Sequence, residues 1–282
     1  MEVEGRAGPA PLGGAAPESA RRRPRTFSIV FSLLAFLLVL FVLLPVVAIV
    51  AGTSPGDVWG ALGQHEVRWS LWLTLYAALI ATGIAFLLGV PLAYLLARRD
   101  FHGKRIVEGL IDLPVVFPHT AAGVALLMIY GRDGLLGRLL APLGLGFTDS
   151  VPGIVVAMMF VSLPFLVDTA KEAFAAVDPR YEQVARTLGV SPALAFARTA
   201  LPMAWRGVVA GGVMMWARGI SEFGAVVILA YNPKIVPTLV YERFEGFGLS
   251  AAKPVAVIIV LVALVVFIVL RVVLLPRRGE RS

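Results

Sequence analysis

Arg218 and Glu222 stand out first, because both are charged and everything around them in ARGISEFGAVVIL is apolar or small. Four residues apart on a helix, they share one face. An ionisable group inside an apolar segment is costly and marks a functional site by default. Two readings are open. Either the pair satisfies itself, or Arg218, Ser221 and Glu222 border a translocation pathway near its gate. In the second reading the guanidinium lowers the barrier to an anion, and the neighbouring carboxylate keeps that anion from binding too tightly to leave. A second polar spot lies in LPVVFPHT, where Pro114 and Pro118 precede His119. Prolines there bend a helix and free backbone carbonyls, which is tolerated only against protein or a water-filled cavity. His119 can hydrogen-bond an oxyanion, or simply bond a neighbouring helix.

Other chemistry is not encoded. His65, His102 and His119 have no histidine or acidic partner at metal-ligand spacing, so no metal site is expected. There is no G-x-x-x-x-G-K-[ST] and no HExxH. Gly52-Thr53-Ser54-Pro55-Gly56 matches G-x-S-x-G, but it follows an apolar run, whereas a nucleophile elbow needs a strand before its serine. No catalytic residue is expected, and an enzyme working within the membrane is the weak alternative.

The elements that must position these residues are membrane spans. With 282 residues, 59% of them hydrophobic and 15% charged, the chain is far too apolar for a soluble domain. Segments long enough to cross ~30 Å of hydrocarbon recur. They fall at about 27–51, 70–97, 109–130, 151–170, 203–230 and 254–275, giving an all-α, polytopic protein of six transmembrane helices. Residues 1–25 read as a disordered tail, 26–275 as the permease-like membrane domain and 276–282 as a second tail. The net charge of +7 sits at the ends of spans and suggests lipid rather than nucleic acid. Lys and Arg concentrate in the N-tail, the 98–105 and 171–202 loops and the C-tail, which places both termini in the cytoplasm.

Between the fourth and fifth spans lies KEAFAAVDPRYEQVARTLGVSPALAFARTALP, residues 171–202, amphipathic in an otherwise apolar chain. Asp178-Pro179 is a helix start, with Ala185 and Leu188 as an apolar stripe. Gly189 falls where a helix ends in the left-handed conformation, and Ser191-Pro192 starts the next. A short helix offered this way suits a partner's groove.

Ala185, Gly189 four residues on and Leu201-Pro202 resemble the EAA loop of ABC-importer permeases, E-A-A-x-x-x-G-x(9)-I-x-L-P. Gln183 and Val184 replace its Glu and first Ala, Thr199 replaces its Ile, and Glu182 stands one position early. The segments LPVVFPHTAAGVALL and ARGISEFGAVVIL resemble the molybdate, tungstate and sulfate branch of that family. Their Pro-His pairing is similar to the tungstate/molybdate permeases. The likeness covers roughly residues 60 to 275.

The resemblance implies a cell-membrane permease that binds no cofactor of its own. ATP and Mg belong to cytoplasmic ATPase subunits, which dock on the loop at Glu182, Gln183, Ala185, Gly189, Leu201 and Pro202. It also implies a second copy of the chain, and an extracytoplasmic binding protein that delivers a tetrahedral oxyanion. That anion passes Pro118, His119, Arg218, Ser221 and Glu222 by alternating access. The alternatives are an ABC permease for sulfate, thiosulfate or another solute, and a secondary transporter.

Overall fold

The computed structural model describes residues 25–274, with side chains over 27–268. The two tails expected at 1–25 and 276–282 therefore lie outside the described residues, apart from Arg25. Every regular element among the described residues is helical. In order these are α1 (Arg25–Ala51), α2 (Pro55–Gly63), α3 (His65–Arg98), α4 (Lys104–Val116), α5 (His119–Tyr130), α6 (Leu135–Leu140), α7 (Val151–Ala175), α8 (Arg180–Thr187), α9 (Pro192–Ala195), α10 (Leu201–Ile220), α11 (Gly224–Leu229), α12 (Val236–Phe247) and α13 (Leu249–Leu274). Contacts divide the chain into two units, one ending at Val50 and one beginning at Ala51. Within the first, the side chains of α1 from Phe27 onward are exposed except that of Ile49, which is half-buried.

In the second unit α7 is central, packed along both α3 and α10. Lipid is as apolar as leucine, so helices in a bilayer associate through close packing rather than hydrophobic expulsion. Small residues provide that fit. Ala77, Ala78, Ala81, Ala85 and Ala93 of α3 are almost wholly buried. On α10, a Cβ at Gly207 would meet Ala173 Cβ at 2.4 Å, and one at Gly212 would meet the Phe86 ring at 2.1 Å. The Gly207-x-x-x-Gly211 stripe is thus filled by α7 of the same chain, Gly212 faces α3, and neither is left for a subunit interface.

The core divides along α3 and α7. One cluster joins the first half of α3 and of α7 to α5, α11 and Ile220. The other joins their second halves, Ala85–Leu96 and Leu166–Phe174, to Ala200, Ala204, Val208 and Met215. A third, smaller cluster packs α2, α12 and α13 around Val67.

Among the described residues four helices are long and apolar enough to cross a membrane: Phe27–Ala51, His65–Arg98, Val151–Ala175 and Leu249–Ile268. Two expected spans differ from straight crossings. The third breaks at Phe117-Pro118, where α4 and α5 meet at a bend of 115°. A proline has no N–H to continue a helix, and the residue before it avoids the helical conformation. The bend is therefore larger than a proline kink. The fifth ends its first helix at Ile220 and resumes at Gly224, and α10 carries Arg206 and Arg218.

Candidate functional site

The two breaks meet. His119 is the first residue of α5, Arg218 lies in the last turn of α10, and Glu222 occupies the gap before α11. Glycines bring the elements together: a Cβ at Gly224 would lie 2.7 Å from His119 Cβ, and one at Gly123 would lie 2.8 Å from Ile228 Cβ. Glu222 is 0 % exposed. Its Oε1 accepts from the Ala225 N–H at 2.9 Å, so the side chain caps α11. Its Oε2 lies 3.0 Å from Arg218 Nη2 and 3.2 Å from His119 Nδ1. Neither contact has hydrogen-bond alignment, leaving this buried oxygen with charge neighbours but no well-directed donor among the described residues.

Arg218 Nη2 also sits 3.1 Å from His119 Nδ1 and 3.0 Å from Nε2. Its Nη1 donates to Ser221 Oγ at 3.4 Å, and that hydroxyl donates to Arg218 O at 2.9 Å. All four polar residues expected at the pathway are therefore in one place, with Pro118 immediately before α5. The carboxylate is the inner member. The imidazole, the guanidinium and the hydroxyl stand at the accessible edge, because the His119 and Arg218 side chains retain 39 and 21 % exposure and Ser221 is exposed. An approaching anion would meet a cation already half-compensated from behind.

The 171–202 loop folds nearly as its residues predict. Asp178 Oδ1 accepts from the Arg180 N–H at 2.9 Å, giving α8 its start one residue later than expected. Gly189 has φ +85°, its N–H donates to Arg186 O, and the Val190 N–H reaches Ala185 O. Those two bonds close the helix end in the way only a left-handed residue allows, hence glycine. Ser191 Oγ accepts from the Leu194 N–H at 3.4 Å and caps α9. A π-helical stretch, Phe196–Ala200, then runs directly into α10 at Leu201-Pro202.

The exposed apolar stripe of α8 is not Ala185 and Leu188 but Tyr181, Val184 and Leu188, which are 55, 60 and 79 % exposed. Gln183 is exposed as well, while Ala185 is half-buried. Glu182 turns the other way. It is buried, its Oε1 accepts from Arg98 Nε at 2.7 Å, and its Oε2 accepts from the Tyr94 hydroxyl. Sequence reading had grouped Glu182 with the docking residues. Nothing in spacing reveals a partner 84 positions away, and Arg98 read only as a topology signal.

Two further polar groups escaped the sequence. Lys171 Nζ bridges Asp168 Oδ1 (3.3 Å) on α7 and Glu108 Oε1 (3.4 Å) on α4. At the opposite end, Lys234 Nζ donates to Glu242 Oε1 at 2.7 Å and to Glu66 Oε1 at 3.3 Å, and the Tyr231 hydroxyl donates to Glu242 Oε2 at 3.0 Å. The Lys234 hydrogen bond holds the Glu242 carboxyl below its ordinary range, and the Glu242 bond holds the Lys234 ammonium above its own. Burial pushes the Tyr231 phenol up. Ser54, in the chance G-x-S-x-G match, accepts from the Asp57 N–H and caps α2.

Comparison with known proteins agrees with this architecture. Residues 89–278 match the family described as binding-protein-dependent transport system inner membrane component. The molybdate/tungstate transport system permease protein WtpB of Thermococcus kodakarensis is 45% identical over 198 residues, 70% of this chain and 75% of its own. WtpB of Methanocaldococcus jannaschii is 39% identical over 246 residues, 87% of this chain and 96% of its own. The sulfate transport system permease protein CysT of Synechococcus elongatus is 31% identical over 240 residues, 83% of this chain and 86% of its own. Among solved structures, a chain of a bacterial ABC transporter involved in import of the acidic polysaccharide alginate superposes with TM-score 0.69 at 16% identity, covering 91% of this chain and 97% of that one. The protein is therefore an integral inner-membrane transport subunit, and it belongs to the binding-protein-dependent (ABC) permease family, in the branch whose curated members are named for molybdate, tungstate and sulfate.

Proposed function

We propose that the chain is the permease of an ATP-driven importer for a tetrahedral oxyanion, tungstate or molybdate, and that the anion passes the Arg218–His119–Glu222 node. The observation that carries this is the node itself: a partly exposed guanidinium, backed by a buried carboxylate, where two broken helices meet. Polar residues at helix breaks within the bilayer are where transporters place their cargo sites. An arginine held by Glu222 offers a positive edge without a large net charge, which suits an anion that must enter and leave. Kinship with permeases named for molybdate and tungstate supports the cargo class.

Counting α4–α5 and α10–α11 as one crossing each alongside the four long helices gives six spans. The basic loops then put both termini, and α8–α9 with them, on the cytoplasmic side. Tyr181, Val184 and Leu188 form the face that enters a groove on a separate ATPase, and ATP is hydrolysed there. A second copy of the chain completes the pathway, and an external binding protein delivers the anion. ATP-driven closure of the ATPase pair moves α8–α9, the helices behind it rock, and access alternates.

The test is elemental analysis of cells with and without the gene, grown on trace tungstate and molybdate with sulfate in excess. A collapse in tungsten or molybdenum with sulfur unchanged is the expected result. Failure of growth on sulfate with both metals unchanged would move the protein to the sulfate branch.

A further inference from the structure

We infer that α3 is the mechanical link between the coupling helix and the anion node, and that Glu182 is its lower fastening rather than a docking residue. The inference rests on reading α8–α9 as the ATPase-coupling element. Both carboxylate oxygens of Glu182 are engaged by α3, one by Arg98 Nε and one by the Tyr94 hydroxyl. The ion pair is sealed, with side-chain exposures of 9 and 11 %. Breaking a buried pair leaves an uncompensated charge, so α8 cannot swing or slide without taking the end of α3 with it. Aromatic rings pack the joint: Tyr94 lies 5.4 Å from Phe174 and 4.6 Å from Phe196, centroid to centroid. Arg98 Nη2 is buried without a hydrogen-bond partner among the described residues.

From Arg98 the helix runs unbroken to His65. Pro91 removes one donor inside it. Here, however, α3 lies flush on α7, because a Cβ at Gly89 would meet Val167 Cγ2 at 3.3 Å. About 35 Å from Arg98, at 1.5 Å per residue, the carbonyl of Leu75 accepts from Trp216 Nε1 at 3.2 Å. Trp216 is two residues before Arg218. One residue from this contact, Thr74 Oγ1 accepts from the Val236 N–H at 2.9 Å, at the start of α12. Between the ends, Phe86 of α3 fills the space over Gly212 of α10. The rod is thus fastened at its lower end to α8, and at its upper end to the residues that carry the node.

The experiment uses the permease reconstituted in proteoliposomes with its ATPase and binding protein. Three quantities are read: ATPase co-purification, stimulation of ATP hydrolysis by molybdate-loaded binding protein, and molybdate taken up per ATP. For Glu182→Gln we expect full co-purification, loss of the stimulation, and a fall of at least ~tenfold in molybdate per ATP, within the range of coupling energies between sites. The exchange Glu182→Arg with Arg98→Glu restores much of both, and Tyr94→Phe and Trp216→Phe give partial losses of the same kind. If Glu182→Gln instead weakens co-purification while the complexes that do form keep their molybdate-to-ATP stoichiometry, Glu182 belongs to the docking face and the link is wrong. Unchanged values in Glu182→Gln and in Trp216→Phe also overturn it. A wild-type permease that neither retains the ATPase nor responds to the binding protein would refute the coupling reading beneath it.

Discussion

Among the described residues two arginine–glutamate pairs are buried or partly buried, and their difference separates the proposed anion site from the proposed joint. Arg98 and Glu182 come from helices far apart in the chain, and both are largely buried. Arg218 and Glu222 are four residues apart across the end of α10, in company with His119 and Ser221, and open at the guanidinium. In the first pair each carboxylate oxygen has one well-directed donor, so geometry is locked. In the second, Oε1 is locked onto α11 while Oε2 faces two cations or potential cations without alignment. A joint needs a carboxylate held at both oxygens; a binding edge needs partners that can be exchanged for a ligand.

The sharpest way to break this contrast is at the turn ahead of the joint. Gly189→Val places a β-branched residue at φ +85°, a conformation such residues adopt only with strain. We expect uptake to be essentially lost with membrane insertion intact; normal uptake, with the ATPase stably bound, would remove α8–α9 from the coupling role. Glu222→Gln sharpens the comparison next. It keeps the cap on Ala225 but frees Arg218 from its counter-charge, so the anion should bind more tightly and leave more slowly. Transport kinetics should show KM and kcat both falling by roughly tenfold, the change produced by about 1.4 kcal/mol. A rise in KM would mean that Glu222 supports the anion site only by shape.

A smaller effect is expected at the helix contact that carries His119. Gly224→Ala inserts a methyl 2.7 Å from His119 Cβ, so α5 and α11 must separate by roughly 1 Å to restore ordinary contact. Uptake should fall about threefold to tenfold, as small misplacements near a site do, without any change in ATPase binding.

The smallest effect concerns the Tyr231–Lys234–Glu242–Glu66 cluster outside the spans. Because Glu242 titrates below its ordinary range, its contribution to holding this loop is present above that range and is lost as pH falls through it. Lys234 titrates above its ordinary range, so its contribution is present below that range and is lost as pH rises past it. Hydrogen-exchange protection over residues 231–248, corrected for the intrinsic pH dependence of exchange, should be high at neutral pH and should fall as pH drops below the ordinary carboxylate range. Lys234→Ala should abolish that dependence at a cost of less than ~1 kcal/mol, as for other partly exposed pairs.

How much of this could be read from residues alone follows physical lines. Signals local in sequence were legible: apolar runs long enough to span, the glycine that ends α8, the capping serine of α9, and the pairing of two charges four residues apart, although the helix ends between them. The break at Phe117-Pro118 was announced by its prolines, but its size was not, since a bend angle is set by what the two halves pack against. The gap between Ile220 and Gly224 carried no proline, and a continuous helix was the natural expectation. Its cause is tertiary: Glu222 turns in to cap α11, and Gly224 admits His119. The direction of Glu182 was illegible for the same reason, because Tyr94 and Arg98 give no sign of it until α3 is laid beside α8. His119 joining Arg218 and Glu222 likewise needed the fold, although each had been singled out separately.

The most direct test of the central claim is tungstate and molybdate uptake by the reconstituted importer carrying Arg218→Ala, with ATP hydrolysis followed in the same vesicles. Loss of uptake, with the ATPase still bound and still stimulated by the loaded binding protein, is the predicted result. It would show that the anion's passage fails while the coupling joint works. Uptake at the wild-type rate would contradict the account and reduce the Arg218–Glu222 pair to a packing feature of a broken helix.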